Sequence, residues 1–167
     1  MEVDSFSFEI SGGLIIMRDT FLFGALDKYR NRLLQLVEGC PEDLRNVVPE
    51  GFNNSIHWQI GHILSVTNRI VFTLSEHPSL LPANYLSFFG NGTRPADWQE
   101  EPPAWDVIIA QLKEQPAQIR ESLHEKLEVP VKENMLHAAN IEQLINTNIM
   151  HEANHLGVIS AMLKVLK

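Results

Sequence analysis

The sequence predicts an all-α protein, a four-helix bundle with long inter-helix loops, and three observations lead there. Apolar residues recur at three- and four-residue steps in four separate segments, the period of a helix with one buried face. Strand signals are nearly absent: no Asn-Gly or Asp-Gly turn joins two alternating apolar runs, and Asn91-Gly92 marks a turn within a loop. The length, 167 residues, is that of one domain with a shared core. Residues 1–167 are therefore expected to form a single helical-bundle domain.

Each element follows from local signals. Residues 1–13 read as an irregular lead-in. A first helix is expected over about 18–38, where Leu22, Leu26, Tyr29, Leu33 and Leu36 share a face and Gly39 with Pro41 supplies the stop. Asn53-Asn54-Ser55 offers N-cap chemistry for a second helix carrying Ile56, Ile60, Ile63, Ile70 and Leu74, which ends at His77-Pro78. Pro102-Pro103-Ala104 opens a third, and Pro116 should kink or break it. Asn140 with Gln143 three residues later resembles a capping box for a fourth helix running to the C-terminus. The connections 78–101 and 128–139 are long for a bundle. The first carries Tyr85, Phe88, Phe89 and Trp98, expected to pack on the bundle, with a lid over a site as the second reading.

Composition excludes several partners. Thirteen basic against twenty-one acidic side chains give a net charge of −8, and no Lys/Arg cluster offers a footprint for a nucleic acid or an anionic membrane. The longest apolar runs fall far short of the ~20 residues that span a bilayer, and none follows a basic n-region. Cys40 is the single cysteine, so no internal disulfide and no CxxC site is possible. A cytoplasmic location is expected.

The fourth helix carries the most chemistry. At about 100° per residue, Ile141, Leu144, Ile145, Ile159, Met162, Leu163 and Leu166 form one apolar stripe, and Asn148, His151, Glu152 and His155 fall within or beside it. Buried polar groups need partners, since an unsatisfied one costs about 1–3 kcal/mol. Histidines at i and i+4 lie a single turn apart, so one cation can satisfy both. Two ligands are too few for a site with an open position, and a third should come from another helix. His77, beside a proline, His124, on a charged stretch, and His137, in a loop, are poor candidates. His57 and His62 remain, about 500° apart, so they point in different directions. His57 occupies a first turn and is expected to be exposed. His62 has Gly61 beside it to permit close approach, but it lies off the centre of the Ile-rich stripe, as a groove at the bundle edge would require.

His151-Glu152-Ala153-Asn154-His155 also fits H-E-x-x-H, the zinc-protease pattern. The metzincin extension fails, because Val158 and Ala161 stand where Gly and His are needed. No Asp, Glu or His follows in residues 156–167 to serve as a further ligand.

Two runs carry a family resemblance: Asn54-Ser55-Ile56-His57-Trp58-Gln59-Ile60-Gly61-His62-Ile63, and the closing His151-x-x-x-His155-Leu156-Gly157. Together with 89–98, they make the chain resemble the DinB/YfiT-like superfamily over nearly its whole length. The resemblance implies a four-helix bundle, frequent homodimers, and a divalent metal, usually zinc or nickel, on three histidines. Carried over, these are His62, His151 and His155, which decides for His62 over His57. Relatives include S-transferases and isomerases that use low-molecular-weight thiols, and metal-dependent hydrolases; fold and ligands transfer better than reaction does.

Three functions are thus expected, the first two acting on a small-molecule substrate. A metal-held thiol cofactor would attack an electrophile as its thiolate. Metal-activated water would instead hydrolyse a small molecule, with Glu152 or Asn148 positioning it. The structural alternative for Glu152 is a salt bridge to Arg18, Arg30 or Arg69, and for Asn148 a hydrogen bond behind the ligands or between helices. In the third, the metal only stabilises a dimeric bundle.

Overall fold

A computed structural model describes the backbone of residues 6–167 and the side chains from Met17 onward. Its helices are α1 (Phe6–Glu38), α2 (Ile56–Asn68, continued by a π-helical turn Arg69–Thr73), a short α3 (Tyr85–Phe89), α4 (Trp105–Leu123) and α5 (Ile141–Val165). Among the described residues no strand forms, and the 128–139 loop closes on an isolated antiparallel bridge between Pro130 and Asn140. No helix among them is long and apolar enough to cross a membrane.

The chain is all-α, as predicted, with two departures in its elements. Helix α1 begins at Phe6, so the expected irregular segment is helical over 6–13, while residues 1–5 lie outside the described ones. Gly12-Gly13 reads as a breaker, yet each glycine costs only about 1 kcal/mol against alanine, and extending a formed helix is far easier than starting one. The 78–101 loop contains α3, which makes a fifth helix. Of the two outcomes expected at Pro116, a kink or a break, the helix is not broken: α4 runs over Trp105–Leu123 with Pro116 inside it.

The caps behave as their residues dictate. Ser55 accepts from the Trp58 N–H to start α2, and Asn140 accepts from the Gln143 N–H to start α5. Gln143 answers from its own side chain, accepting the Ala139 N–H at 2.8 Å, a capping box displaced by one residue.

Four long helices make the bundle. Side-chain pairs set their directions: Arg18 with Glu142 and Arg30 with Glu152 run α1 parallel to α5, whereas Gln59 with His155 and His62 with His151 run α2 antiparallel to it. Arg30 with the Leu112 carbonyl and Asp27 with Arg120 make α4 antiparallel to α1. The predicted stripes face inward: Leu22, Leu26, Leu33, Ile56, Ile60, Ile63, Ile141, Leu144 and Ile159 are buried.

The core is divided in two. One half gathers Leu33, Val37, Ile60, Leu64, Phe89, Leu112 and Ile159; the other gathers Leu22, Leu26, Val71, Ile119, Ile141 and Ile145. Between them lies a buried polar layer centred on Arg30, which is 1% exposed. Its Nε and Nη2 donate to the two oxygens of Glu152 at 2.7 and 3.0 Å, Nη1 donates to the Leu112 carbonyl at 2.7 Å, and Nη2 also donates to Gln115 Oε1 at 3.1 Å. Gln115 in turn donates to the Leu64 carbonyl at 3.1 Å, so the network touches α1, α2, α4 and α5.

Pro116 belongs to this layer. A residue at 116 with an N–H would bond to the carbonyl of residue 112, four positions earlier. Proline leaves that carbonyl without its helical donor, and the Arg30 guanidinium supplies one, so the helix runs on. Arg30→Met should therefore destabilise the protein by about 3–5 kcal/mol, because it strands both a carboxylate and a carbonyl in the core. Adding Pro116→Ala should recover part of that loss by returning the missing N–H. Urea denaturation of both variants checks this, and an undiminished loss in the double variant would refute the account of Leu112.

Candidate metal centre

Three predicted residues meet where α2 faces α5. His62, His151 and His155 each present a nitrogen within 4.8 Å of the others. His62 Nε2 lies 3.1 Å from His151 Nε2, against about 3.3 Å for two nitrogens on one tetrahedral zinc. Ring centroids are separated by 5.2, 4.7 and 4.5 Å. His62 is buried and the other two are half-buried.

The ring orientations are imposed from outside the trio. His62 Nδ1–H donates to the Phe89 carbonyl at 2.7 Å, and His155 Nδ1–H donates to Gln59 Oε1 at 2.6 Å, so each leaves its Nε2 lone pair free. Trp58 stacks on His62 with centroids 4.5 Å apart and planes 16° from parallel. The Trp58 indole N–H is anchored to Thr93 Oγ1 at 2.9 Å, and Trp98 donates to the Phe88 carbonyl at 2.9 Å. The aromatic loop therefore packs on the bundle, as expected, and also supplies a wall of the site.

Gly61 makes this possible. A Cβ there would lie 2.5 Å from the Phe89 ring, a distance that no packing tolerates. Without a side chain, α2 lets Phe89 settle fully buried against it, which brings the Phe89 carbonyl onto His62.

Electrostatics favour a cation at this point. Burial lowers the pKa of all three imidazoles; His151 falls to about 4 with help from His62, and His155 to about 3 with help from His62 and His151. Near neutral pH the trio is uncharged, with its lone pairs crowded together. Nδ1 of His151 is buried without a hydrogen-bond partner. Three neutral imidazoles, two with oriented Nδ1–H groups, are a donor set that a divalent transition metal satisfies.

A pocket of about 480 Å³ opens over the trio, walled by Asn53, Asn54, Trp58, Gln59, Asn91, Gly92, Thr93 and Arg94. Asn91-Gly92 provides the tight turn, Gly92 adopting φ +84°. Among the described residues, the walls contain no carboxylate.

The other expectations divide. Glu152, offered as a catalytic residue, points into the core and gives both oxygens to Arg30, one of the three arginines considered for it. A zinc-protease role for the H-E-x-x-H run needs that carboxylate beside the metal, and the Arg30 charge holds it elsewhere. Asn148 is fully buried one turn before His151, and both its side-chain polar atoms lack partners. His57 is buried at 5% exposure, contrary to expectation: its ring bonds to Asn46 and to the Pro103 carbonyl and sits among Phe89, Trp98 and Trp105. Those loops cover the first turn of α2, which helical position alone does not reveal. His124 and His137 are exposed, and His77 lies near Ser75 and Lys126. Cys40 is buried, which pushes its thiol pKa up and makes it a poor nucleophile. Sequence reasoning missed Gln59 and the Phe89 carbonyl; the i−3 spacing of Gln59 from His62 was a signal for the first, and nothing local marks the second.

Gly61→Ala and Gln59→Leu should each weaken divalent-metal binding about 10–100-fold by releasing His62 or His155 from its orienting acceptor. Chelator competition measures this, with circular dichroism to show that helix content persists. Unchanged affinity in both variants would mean that these acceptors do not orient the ligands.

A search of curated proteins returns no match to this chain. A family profile described as the DinB superfamily matches residues 25–159, a span that includes α2, the aromatic loop and all three clustered histidines. The chain belongs to the DinB superfamily.

Proposed function

We propose that the protein is a divalent-metal-dependent enzyme that joins a small thiol to an electrophilic substrate, with His62, His151 and His155 as ligands. The observation that carries this is the composition of the pocket: three converging neutral imidazoles at its floor, and walls whose described residues offer amide, hydroxyl, indole and guanidinium groups and no carboxylate. A zinc or nickel ion, both suited to imidazole donors, would lower the pKa of a bound thiol so that it is present as thiolate near neutral pH. Thiolate attack on an electrophile then needs no protein base. Hydrolysis of an amide or ester needs a group to protonate its leaving atom, and the carboxylate beside the histidines in sequence, Glu152, is occupied by the Arg30 ion pair.

The chain's own residues bind and orient. Gln59 and the Phe89 carbonyl hold two ligands in the required tautomer, and Trp58 limits the swing of His62. We assign Asn148 the same task for His151. A ligating His151 carries its proton on Nδ1, and the unpartnered acceptor Oδ1 of Asn148 lies one turn away on the same helix.

Two measurements test this reading. The metal-loaded protein should consume monochlorobimane only when a thiol able to occupy the site is supplied, beyond the uncatalysed rate, and His155→Ala should abolish the difference. Thiol-independent ester cleavage that His155→Ala removes would overturn it in favour of hydrolysis. For Asn148, Asn148→Leu should weaken metal binding about 10–100-fold while making the metal-free protein no less stable, since a buried amide without partners is replaced by a similar apolar volume. Lower stability with unchanged metal affinity would make Asn148 a purely structural residue.

A further inference from the structure

The pocket over the three histidines has a charge pattern that the metal does not explain. Among the described residues, Arg94 is the one permanently charged side chain in its walls, and around it stand the amides of Asn53, Asn54 and Asn91. The chain as a whole carries −8, so a cavity lined without a carboxylate and with a guanidinium is a local exception.

Arg94 is held but not committed. Its guanidinium meets Asp97 at 3.1 and 3.4 Å, across a pair in which both side chains are more than half exposed, at 55% and 54%. Exposed pairs of this kind contribute little to stability, so a carboxylate arriving from the pocket replaces Asp97 at little cost. Arg94 is also well placed in the chain. It follows Thr93, which is pinned by the Trp58 indole and by the Phe88 and Gly90 carbonyls, and it precedes the turn Pro95–Asp97. The backbone that carries the guanidinium is thereby tied to the same α2 turn that carries His62.

Size adds a second constraint. About 480 Å³ exceeds what a bare thiol fills and falls in the range of pockets for small organic ligands. Amide side chains both donate and accept, which suits hydroxyl or amide groups on the ligand.

We infer that this pocket selects an anionic ligand: a small molecule with a carboxylate on Arg94, and hydroxyl or amide groups on Asn53, Asn54 and Asn91. The inference rests on the metal-dependent reading above and adds the chemical class of the thiol or substrate. Arg94 is a specificity-determining residue in this scheme and takes no part in holding the metal.

The test uses the full chain loaded with cobalt(II) and three thiols of similar size: 3-mercaptopropionate, 2-mercaptoethanol and cysteamine. Thiolate-to-cobalt charge-transfer absorption reports binding. The anionic thiol should bind about tenfold more tightly than the neutral one, with the cationic one weakest. Arg94→Gln should erase the anionic preference while the cobalt ligand-field spectrum stays unchanged, Arg94→Lys should restore part of it, and Asp97→Asn should strengthen it. Equal affinities for the anionic and neutral thiols in the unmodified protein, or a preference that Arg94→Gln leaves intact, would overturn the inference. Absence of a charge-transfer band with every thiol would overturn the thiol chemistry instead. Arg94 is then decided by calorimetry with succinate against succinamide: succinate binding that Arg94→Gln removes supports it, and equal heats in the two proteins refute it.

Discussion

The buried guanidinium of Arg30 is the constraint from which the rest of the bundle follows. A charge in the middle of an apolar core must be paired and fully hydrogen-bonded, or the fold does not hold. Arg30 meets that demand with four bonds to Glu152, the Leu112 carbonyl and Gln115. Each partner comes with a consequence. The Leu112 carbonyl is available because Pro116 cannot donate to it, and Gln115 passes the network to α2 through the Leu64 carbonyl. Glu152 fixes the rotation of α5 about its own axis. With that carboxylate turned inward, His151 and His155 lie to the same side, about 100° and 60° around the helix, facing α2.

The site therefore depends on a residue that does not enter it. The H-E-x-x-H run places a carboxylate next to two histidines in sequence, and in a zinc protease that closeness serves water activation. Here the same closeness serves aim: the glutamate faces inward and the histidines face the seam. On the other side of the seam, α2 solves its own problem through Gly61, whose missing side chain admits Phe89 and so brings a backbone carbonyl to His62. Two close-packing events, one polar and one apolar, bring three imidazoles together.

What the resulting pocket can do is limited by what it lacks and what its rim adds. With neutral ligands, a bound divalent ion would keep its full charge, and no wall carboxylate would offset it. Arg94 at the rim is paired with the exposed Asp97 and adds to the same sign once that pair opens. On the proposed reading, a pocket of that character would favour anions, a thiolate at the floor or a carboxylate near the mouth, in a protein whose overall charge is negative.

The sequence alone determined the helical class, the inward faces of α1, α2 and α5, the caps at Ser55 and Asn140, and the pairing of His151 with His155, because these depend on period and on residues within one turn. His62 entered from the motif it shares with a family, since its position off the apolar stripe of α2 hid it from periodicity. Tertiary structure decided the rest. Whether Glu152 faces a metal or an arginine depends on Arg30, more than a hundred residues away, and the uninterrupted course of α4 through Pro116 depends on that same side chain. The burial of His57 and the Phe89 carbonyl at His62 came from loops that local patterns left undefined. Periodicity says which side of a helix is apolar; which donor or acceptor meets a given polar group is settled only when distant segments pack against one another.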